Sequence, residues 1–407
     1  MRPGYTVKIA LSAMFLTTCA VCAKALDDEV EAPRRCEPCG TRYCGEECER
    51  AGRNHDCDAI VRAGGVEAAY VSRMSAEAVA EAIASCAEET AGKACYICLE
   101  VEDDEGKACV RGCACRGEAG FAHLSCLARN AQTTVDRIPP SHVAIIKTMF
   151  DIDLLMGIYG KWGTCGLCHQ DFTENVRLAL GWECWNTHSA RDESDSFRLM
   201  ALAVLGRAYL SVANDLDTHK NEAVPIFEAV LATIRRRWPG NRNEIMQMNS
   251  NLATAYEEAG RIDESIVIKR ECYADAKDMT GPRSDLSTIC ANNLGCALMT
   301  KGSYADAILL LKAQTEYQVD APLDNEIMIS LFTNYAKALY KNPDAVPDDI
   351  LESIATYEKC MKVALRLWGA GHPYPKKFEN HLEKARAALA APKSARFERA
   401  LKRARKD

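Results

Sequence analysis

No apolar run in this chain is long enough to carry a helix across a bilayer. The uncharged stretch Ile9 to Ala23 has fifteen residues, where a span needs about 20. Positive charge is not in excess either. Lys and Arg number 50 against 57 Asp and Glu, a formal net charge of −7, so there is no electrostatic reason to expect a nucleic-acid partner. The sequence also lacks a Walker-type phosphate loop and a GxSxG nucleophile elbow, and the chemistry those motifs carry is not expected. What the 407 residues do hold is cysteine, 21 in all, and a 48% apolar content that calls for a packed globular protein. The length suits two or three domains. An odd number of cysteines set in CxxC, CxC and HxxC groups fits metal binding in a reducing compartment better than a disulfide framework.

Eight residues with zinc-ligand chemistry follow in strict order: Cys95-x-x-Cys98, Cys113-x-Cys115, His123-x-x-Cys126 and Cys165-x-x-Cys168. Four such pairs complete two tetrahedral sites. A structural zinc site fills all four positions with thiolate and imidazole and leaves none for a substrate or an attacking water. The spacing therefore predicts a recognition module with no catalytic residue. Cys109 falls nearby, but the interval from the CxC pair to the histidine selects Cys113 and Cys115.

A second set of eight lies upstream: Cys19-x-x-Cys22, Cys36-x-x-Cys39, Cys44-x-x-x-Cys48 and His55-x-Cys57. Four zinc ions are expected, two for each set. A span of about 40 residues cannot bury an adequate core, so metal must stabilise it. Arg2 and Lys8, the apolar run and Ala23-Lys24-Ala25 also fit a cleaved secretory signal. Cleavage after Ala25 would remove Cys19 and Cys22 and leave too few ligands for two closed sites. Retention, and a cytoplasmic or nuclear location, is the expectation; a secretory location is the alternative.

On these residues, with Arg42-Tyr43-Cys44 and Cys48-Glu49-Arg50-Ala51, the segment 19–57 resembles a MYND zinc finger. The resemblance implies that Cys19, Cys22, Cys44 and Cys48 share one ion and that Cys36, Cys39, His55 and Cys57 share the other. The stretch Arg111-Gly112-Cys113-Ala114-Cys115-Arg116-Gly117, the seven residues between Cys115 and His123, and Leu124-Ser125-Cys126-Leu127 resemble the RING-CH variant of the RING finger. That family is cross-braced, which implies one ion on Cys95, Cys98, His123 and Cys126 and another on Cys113, Cys115, Cys165 and Cys168. It also implies a ubiquitin ligase, which holds a charged ubiquitin-conjugating enzyme in a reactive geometry and needs no nucleophile of its own. Ile97, between the first two cysteines, and Trp162, ahead of the last pair, match the family's docking groove, so an exposed aliphatic and aromatic pair is expected there. A non-enzymatic scaffold for protein-protein interaction is the alternative. Asn186-Thr187-His188-Ser189 is similar to part of a SET methyltransferase motif, but the partner motifs are missing.

Residues 58–91 read as an Ala-rich helical spacer, a helix pair interrupted at Gly64-Gly65, with Cys86 on its apolar face. An inserted helix is expected over Val143 to Met156, inside a zinc region bounded at 92–171. From 172 to 390 an internal repeat appears. Asn251-Leu252-Ala253, Gly260 and Ile266 return at an offset of 42 as Asn293-Leu294-Gly295, Gly302 and Ile308, and Asn334-Tyr335-Ala336 follows. These repeats resemble tetratricopeptide repeats of the kinesin-light-chain type. Small residues such as Ala253 and Gly295 let paired helices approach, and stacked pairs share one core. Asn251, Asn293 and Asn334 are candidate peptide-binding residues on the first helix of each pair, with hydrogen bonding between repeats as the plainer role. Cys272, Cys290, Cys296 and Cys360 read as buried fillers; Cys184 and His188 have no assigned role. Residues 1–18 form an apolar N-terminal segment and 391–407 a basic tail. The expected fold class is thus small zinc-stabilised domains, MYND-like and cross-braced RING-CH, followed by an all-α tetratricopeptide-type solenoid. The expected partners are a conjugating enzyme and a peptide or protein substrate, with neither nucleic acid nor membrane.

Overall fold

The computed structural model describes residues 34–35, 42–43, 45–51, 66–148, 150–192, 195–212, 221–318 and 325–390. Segments 1–18 and 391–407 lie outside them, as do Cys19, Cys22, Cys36, Cys39, Cys44, His55 and Cys57. The chain forms two compact units, Met1–Ala259 and Gly260–Asp407. The division falls inside the expected solenoid, because the first repeat helices pack against the zinc region.

In the first unit, β1 (Arg34–Arg35) pairs antiparallel with β2 (Arg42–Tyr43), placing Arg34 opposite Tyr43. α1 (Glu46–Ala51) follows, with Glu46, Glu47 and Glu49 in the first turn, where negative charge complements the helix dipole. Cys48 lies on α1. α2 (Val66–Thr90) begins just after Gly64-Gly65, where the second helix of the expected pair falls; the first falls on residues 58–65, outside the described set. α2 is not a free spacer. Tyr70, Val71, Ala78, Val79 and Ala82 are buried against α6 (Glu174–His188). Tyr70 meets Trp182 edge to face at 6.2 Å, and Ser75 hydrogen-bonds Glu183.

α3 (Leu124–Asp136) runs on from the HxxC pair. The single inserted helix expected over 143–156 is two helices, α4 (Pro140–Thr148) and α5 (Ile152–Tyr159). The break has a local cause: the Asp151 carboxylate accepts from Leu154 N at 2.9 Å and starts a new helix as an N-cap. Phe150, in the break, is fully buried and stacks on Trp238 at 5.5 Å. The insertion therefore packs onto the repeats and is not a protruding loop. A 3-10 turn, Gly160–Trp162, leads to the last cysteine pair. α6, α7 (Ser196–Val212), α8 (Ala223–Arg237) and α9 (Arg242–Glu258) then pack in succession. Gly206 permits the close approach of α7 and α8, since a Cβ there would sit 2.8 Å from Phe227 Cζ.

The second unit holds α10 (Ile262–Thr280), α11 (Asp285–Lys301), α12 (Tyr304–Tyr317), α13 (Glu326–Lys341), α14 (Pro347–Trp368) and α15 (Pro373–Ala390). Local residues bound these helices. Ser284 caps α11 by accepting from Ser287 N at 3.1 Å, Asn325 caps α13 through Met328 N at 2.9 Å, and Gly302 ends α11 with φ of 90°. Leu294, Leu298, Leu311, Leu331 and Leu339 form a continuous core. Gly295 faces Leu311, whose Cδ2 would lie 2.8 Å from an added Cβ. Cys272, Cys290 and Cys360 are buried and Cys296 is partly buried.

His381 on α15 stacks flat on Tyr357 at 5.3 Å, and its Nδ1 accepts a hydrogen bond from the Tyr340 hydroxyl at 2.8 Å. Burial, followed by the charges of Lys337, Lys384, Lys341 and Lys377, lowers its pKa from 6.5 to about 4. The unfolded chain binds this proton at a higher pH than the folded one, so stability is present above 6.5 and is lost as pH falls towards 4. Hydrogen-exchange protection factors in α13 and α15, taken relative to the intrinsic rate at each pH, are therefore expected to fall on acidification through that window in the wild type, and less so in His381→Gln. An equal acid response in the two proteins would contradict the assignment.

Candidate metal centre

Two groups of four ligands close in space: Cys95, Cys98, His123 and Cys126, and Cys113, Cys115, Cys165 and Cys168. Within each group the ligand atoms lie within 4.8 Å of one another. In the first, Nδ1 of His123 stands 3.3 Å from Cys98 Sγ and 3.8 Å from Cys126 Sγ. In the second, Cys115 Sγ and Cys165 Sγ are 3.8 Å apart. Thiolates bound about 2.3 Å from one tetrahedral ion stand about 3.8 Å apart along an edge, so the donor set fits zinc. All eight positions come from cysteine and histidine, the chemistry of a closed structural site. The pairing interleaves along the chain, first pair with third and second with fourth, which is a cross-brace.

Local backbone explains why CxxC builds such a corner. Cys95 N donates to Glu100 O at 2.8 Å, and Leu99 N to Cys95 O at 2.8 Å. Ile97 N points at Cys95 Sγ, 3.4 Å away. The last pair repeats the pattern, with Cys165 N to Gln170 O at 2.9 Å, His169 N to Cys165 O at 3.0 Å, and Leu167 N to Cys165 Sγ at 3.4 Å. The residue after each second cysteine takes a left-handed conformation, Leu99 at φ 69° and His169 at φ 57°. The two knuckles are thus copies of one turn. Gly120 completes the second site, since its φ is +88° and a Cβ there would lie 2.6 Å from Cys115 Cβ.

His123 is oriented from behind. Its Nε2 faces Val101 O at 3.2 Å, so the Nε2–H donates to the carbonyl and leaves Nδ1 as the ligand atom. Burial, with Cys98 and Cys95 close by, pushes the Cys126 thiol up to about 12. Three thiolates in this group, or four in the second, cannot share so small a volume without a cation to offset their charge. Cys168 is the contrast: the backbone N–H of Gln170, ahead of other hydrogen bonds, brings it down to about 7. Cys109 belongs to neither group; it is fully buried, and burial beside Cys95 and Cys98 pushes its thiol up to about 12. Cys86 faces Arg111 O at 3.8 Å.

The proposed docking pair divides. Ile97 is 38% exposed, but Trp162 is only 1% exposed. Trp162 lies edge on to His188 at 6.5 Å, covered because α3 and α6 pack against the 3-10 turn. It cannot form the aromatic half of an exposed groove, and that expectation is corrected. The surface apolar residues beside the two clusters are Ile97, Leu99 at 77% and Leu167 at 47% exposure. Sequence reasoning missed Leu167, although it holds the same place in its knuckle as Ile97 does in the first.

The His188 of the SET-like fragment is buried in the last turn of α6, with Nδ1 2.9 Å from Cys184 O and the ring against Tyr159. Cys184 is also buried, which raises its thiol pKa strongly. Among the repeat asparagines, Asn251 and Asn334 are partly buried and Asn293 is exposed. Asn334 donates to Asn292 on α11 at 3.3 Å, a contact between repeats.

The fold and the two clusters define a cross-braced zinc module joined to helical repeats. A family profile described as the RING-variant domain matches residues 95–137. The match stops short of Cys165 and Cys168, which only the folded chain brings to the second site. No curated protein matches this chain. Solved structures with a similar helical part include a Podosopora anserina kinesin light chain protein with nearly identical TPR-like repeats, 18% identical, covering 47% of this chain and 86% of its own at a TM-score of 0.40. BtubC (BKLC) from P. vanneervenii is 14% identical, over 56% of this chain and 91% of its own, also at a TM-score of 0.40.

Proposed function

We propose that the chain is a RING-type ubiquitin ligase that recruits a conjugating enzyme through its zinc knuckles and takes its substrate through the MYND-like finger and the repeats. The observation that carries this reading is the pairing of two identical zinc-braced turns, each presenting an aliphatic side chain, Ile97 and Leu167, to solvent. Rigid apolar contacts of this kind suit a partner interface, because little side-chain entropy is lost on binding. Catalysis is by positioning, with the charge and the nucleophile supplied by the partners. Zinc thiolates of this type persist best under reducing conditions, which supports a cytoplasmic or nuclear location as part of this proposal. Asn251, Asn293 and Asn334 are proposed to contact the substrate peptide.

The burial of Trp162 favours a second reading, a scaffold that keeps the zinc fold without ligase activity. Autoubiquitination with a panel of conjugating enzymes separates the two. Wild type is expected to be active with at least one enzyme, and Ile97→Ala with Leu167→Ala to lose about tenfold or more while keeping its zinc. Inactivity across the panel, or full activity in the double variant, would count for the scaffold or for a different docking face.

A further inference from the structure

A cavity of about 70 Å³ lies beside the second metal cluster, between the 3-10 turn that leads to Cys165 and helices α5, α6 and α7. Its walls include Trp162, Thr164, Asp171, Arg177 and Arg207. Arg177 pairs with Asp171 at 2.7 Å. Arg207 has no carboxylate partner among the described residues, and its Nη1 has the Met156 sulfur, 3.1 Å away, as acceptor. Burial lowers the Arg207 pKa and the charge of Arg177 lowers it further, while the Asp171 carboxylate, already paired with Arg177, offsets only part of this. The indole N–H of Trp162, on a side chain 1% exposed, has no acceptor among the described residues.

Two guanidinium groups against one carboxylate leave a net positive charge in the wall, and two donors are short of acceptors. A thioether sulfur is a weak acceptor, and a partly buried cation without a counter-charge is costly. Water could satisfy the indole but could not offset the charge. We propose that this cavity binds a tetrahedral oxyanion, free phosphate or a phosphorylated side chain, held by Arg207 with Arg177 and the Trp162 indole as further donors. The planar fork of arginine suits such a group, and charge-assisted bonds make it a strong one. The occupant joins the segment just before Cys165 to the first two repeat helices, so it also braces the closing ligand pair.

The test is calorimetry on the zinc-loaded full chain, titrated with inorganic phosphate, with O-phosphoserine and with chloride. Saturable phosphate binding is expected, with chloride inert. Affinity is expected to fall about tenfold or more in Arg207→Met and several-fold in Arg207→Lys, which keeps the charge and loses the fork. Phosphoserine binding more tightly than phosphate assigns the phosphorylated side chain as the source; binding of phosphate alone assigns the free anion. Circular dichroism and zinc content verify the fold of Arg207→Met, and if that variant unfolds the lysine variant decides. Absence of saturable binding overturns the proposal. So does undiminished affinity in the folded variants, which would trace the anion to the zinc.

Discussion

Strong chelation is expected to unfold the segment from Cys95 to Asp171 while the second unit, which has no ligand cluster among its described residues, keeps its helices. Each structural zinc contributes about 10 to 16 kcal/mol in small domains of this kind, comparable to the whole stability of a typical domain. The apolar core cannot replace that contribution around the clusters, because outside α3 to α5 and the 3-10 turn the backbone consists of knuckles and isolated bridges such as Val110 with Ala122. Native mass spectrometry is expected to find two zinc equivalents on the 95–168 clusters, and two more if the N-terminal finger is loaded. Cys126→Ser should cost one of them and Cys109→Ser none. If the pattern were reversed, or if far-ultraviolet dichroism and exchange protection in α3 survived chelation, the assignment of ligands would be wrong. Unfolding is expected to spread to the end of α2, since Glu89 is ion-paired with Arg111 and Arg111 lies over the Phe121 ring at 4.6 Å. It should also reach α6, since Thr173 N bonds Gly112 O at 2.8 Å.

Trp182→Ala is expected to destabilise the first unit by about 3 to 5 kcal/mol, the usual cost of truncating a buried tryptophan. Trp182 is 1% exposed and is flanked edge to face by Tyr70 on α2 and Tyr209 on α7, each at 6.2 Å. The cavity left behind opens between three helices that cannot all close on it. The spacer and the packed-helix descriptions of α2 make different predictions here. A spacer would be indifferent to Trp182, whereas a packed helix should lose hydrogen-exchange protection from Tyr70 to Ala82 along with α6. Denaturant melts with exchange mass spectrometry read both. A loss under about 1 kcal/mol, or unchanged protection in α2, would return α2 to the role of a linker.

The ligand set of both clusters was legible in the sequence because zinc geometry acts locally. A thiolate pair must be two residues apart to form a knuckle whose amides bond the first sulfur, and that requirement leaves a fixed spacing in the chain. The turn at Gly302 was legible for the same reason, since a helix end depends on residues within one turn. The repeat offset was legible because each pair of helices solves the same packing problem. What the spacing could not carry was burial. Trp162 reads as a surface residue until His188, Tyr159 and α6 cover it, and those partners are fixed by how the insertion folds back. The packing of α2 on Trp182 and the inclusion of α6 to α9 with the zinc region likewise depend on contacts between distant residues. Local chemistry chose the metal ligands; long-range packing of apolar surface decided which neighbouring side chains remain available to a partner.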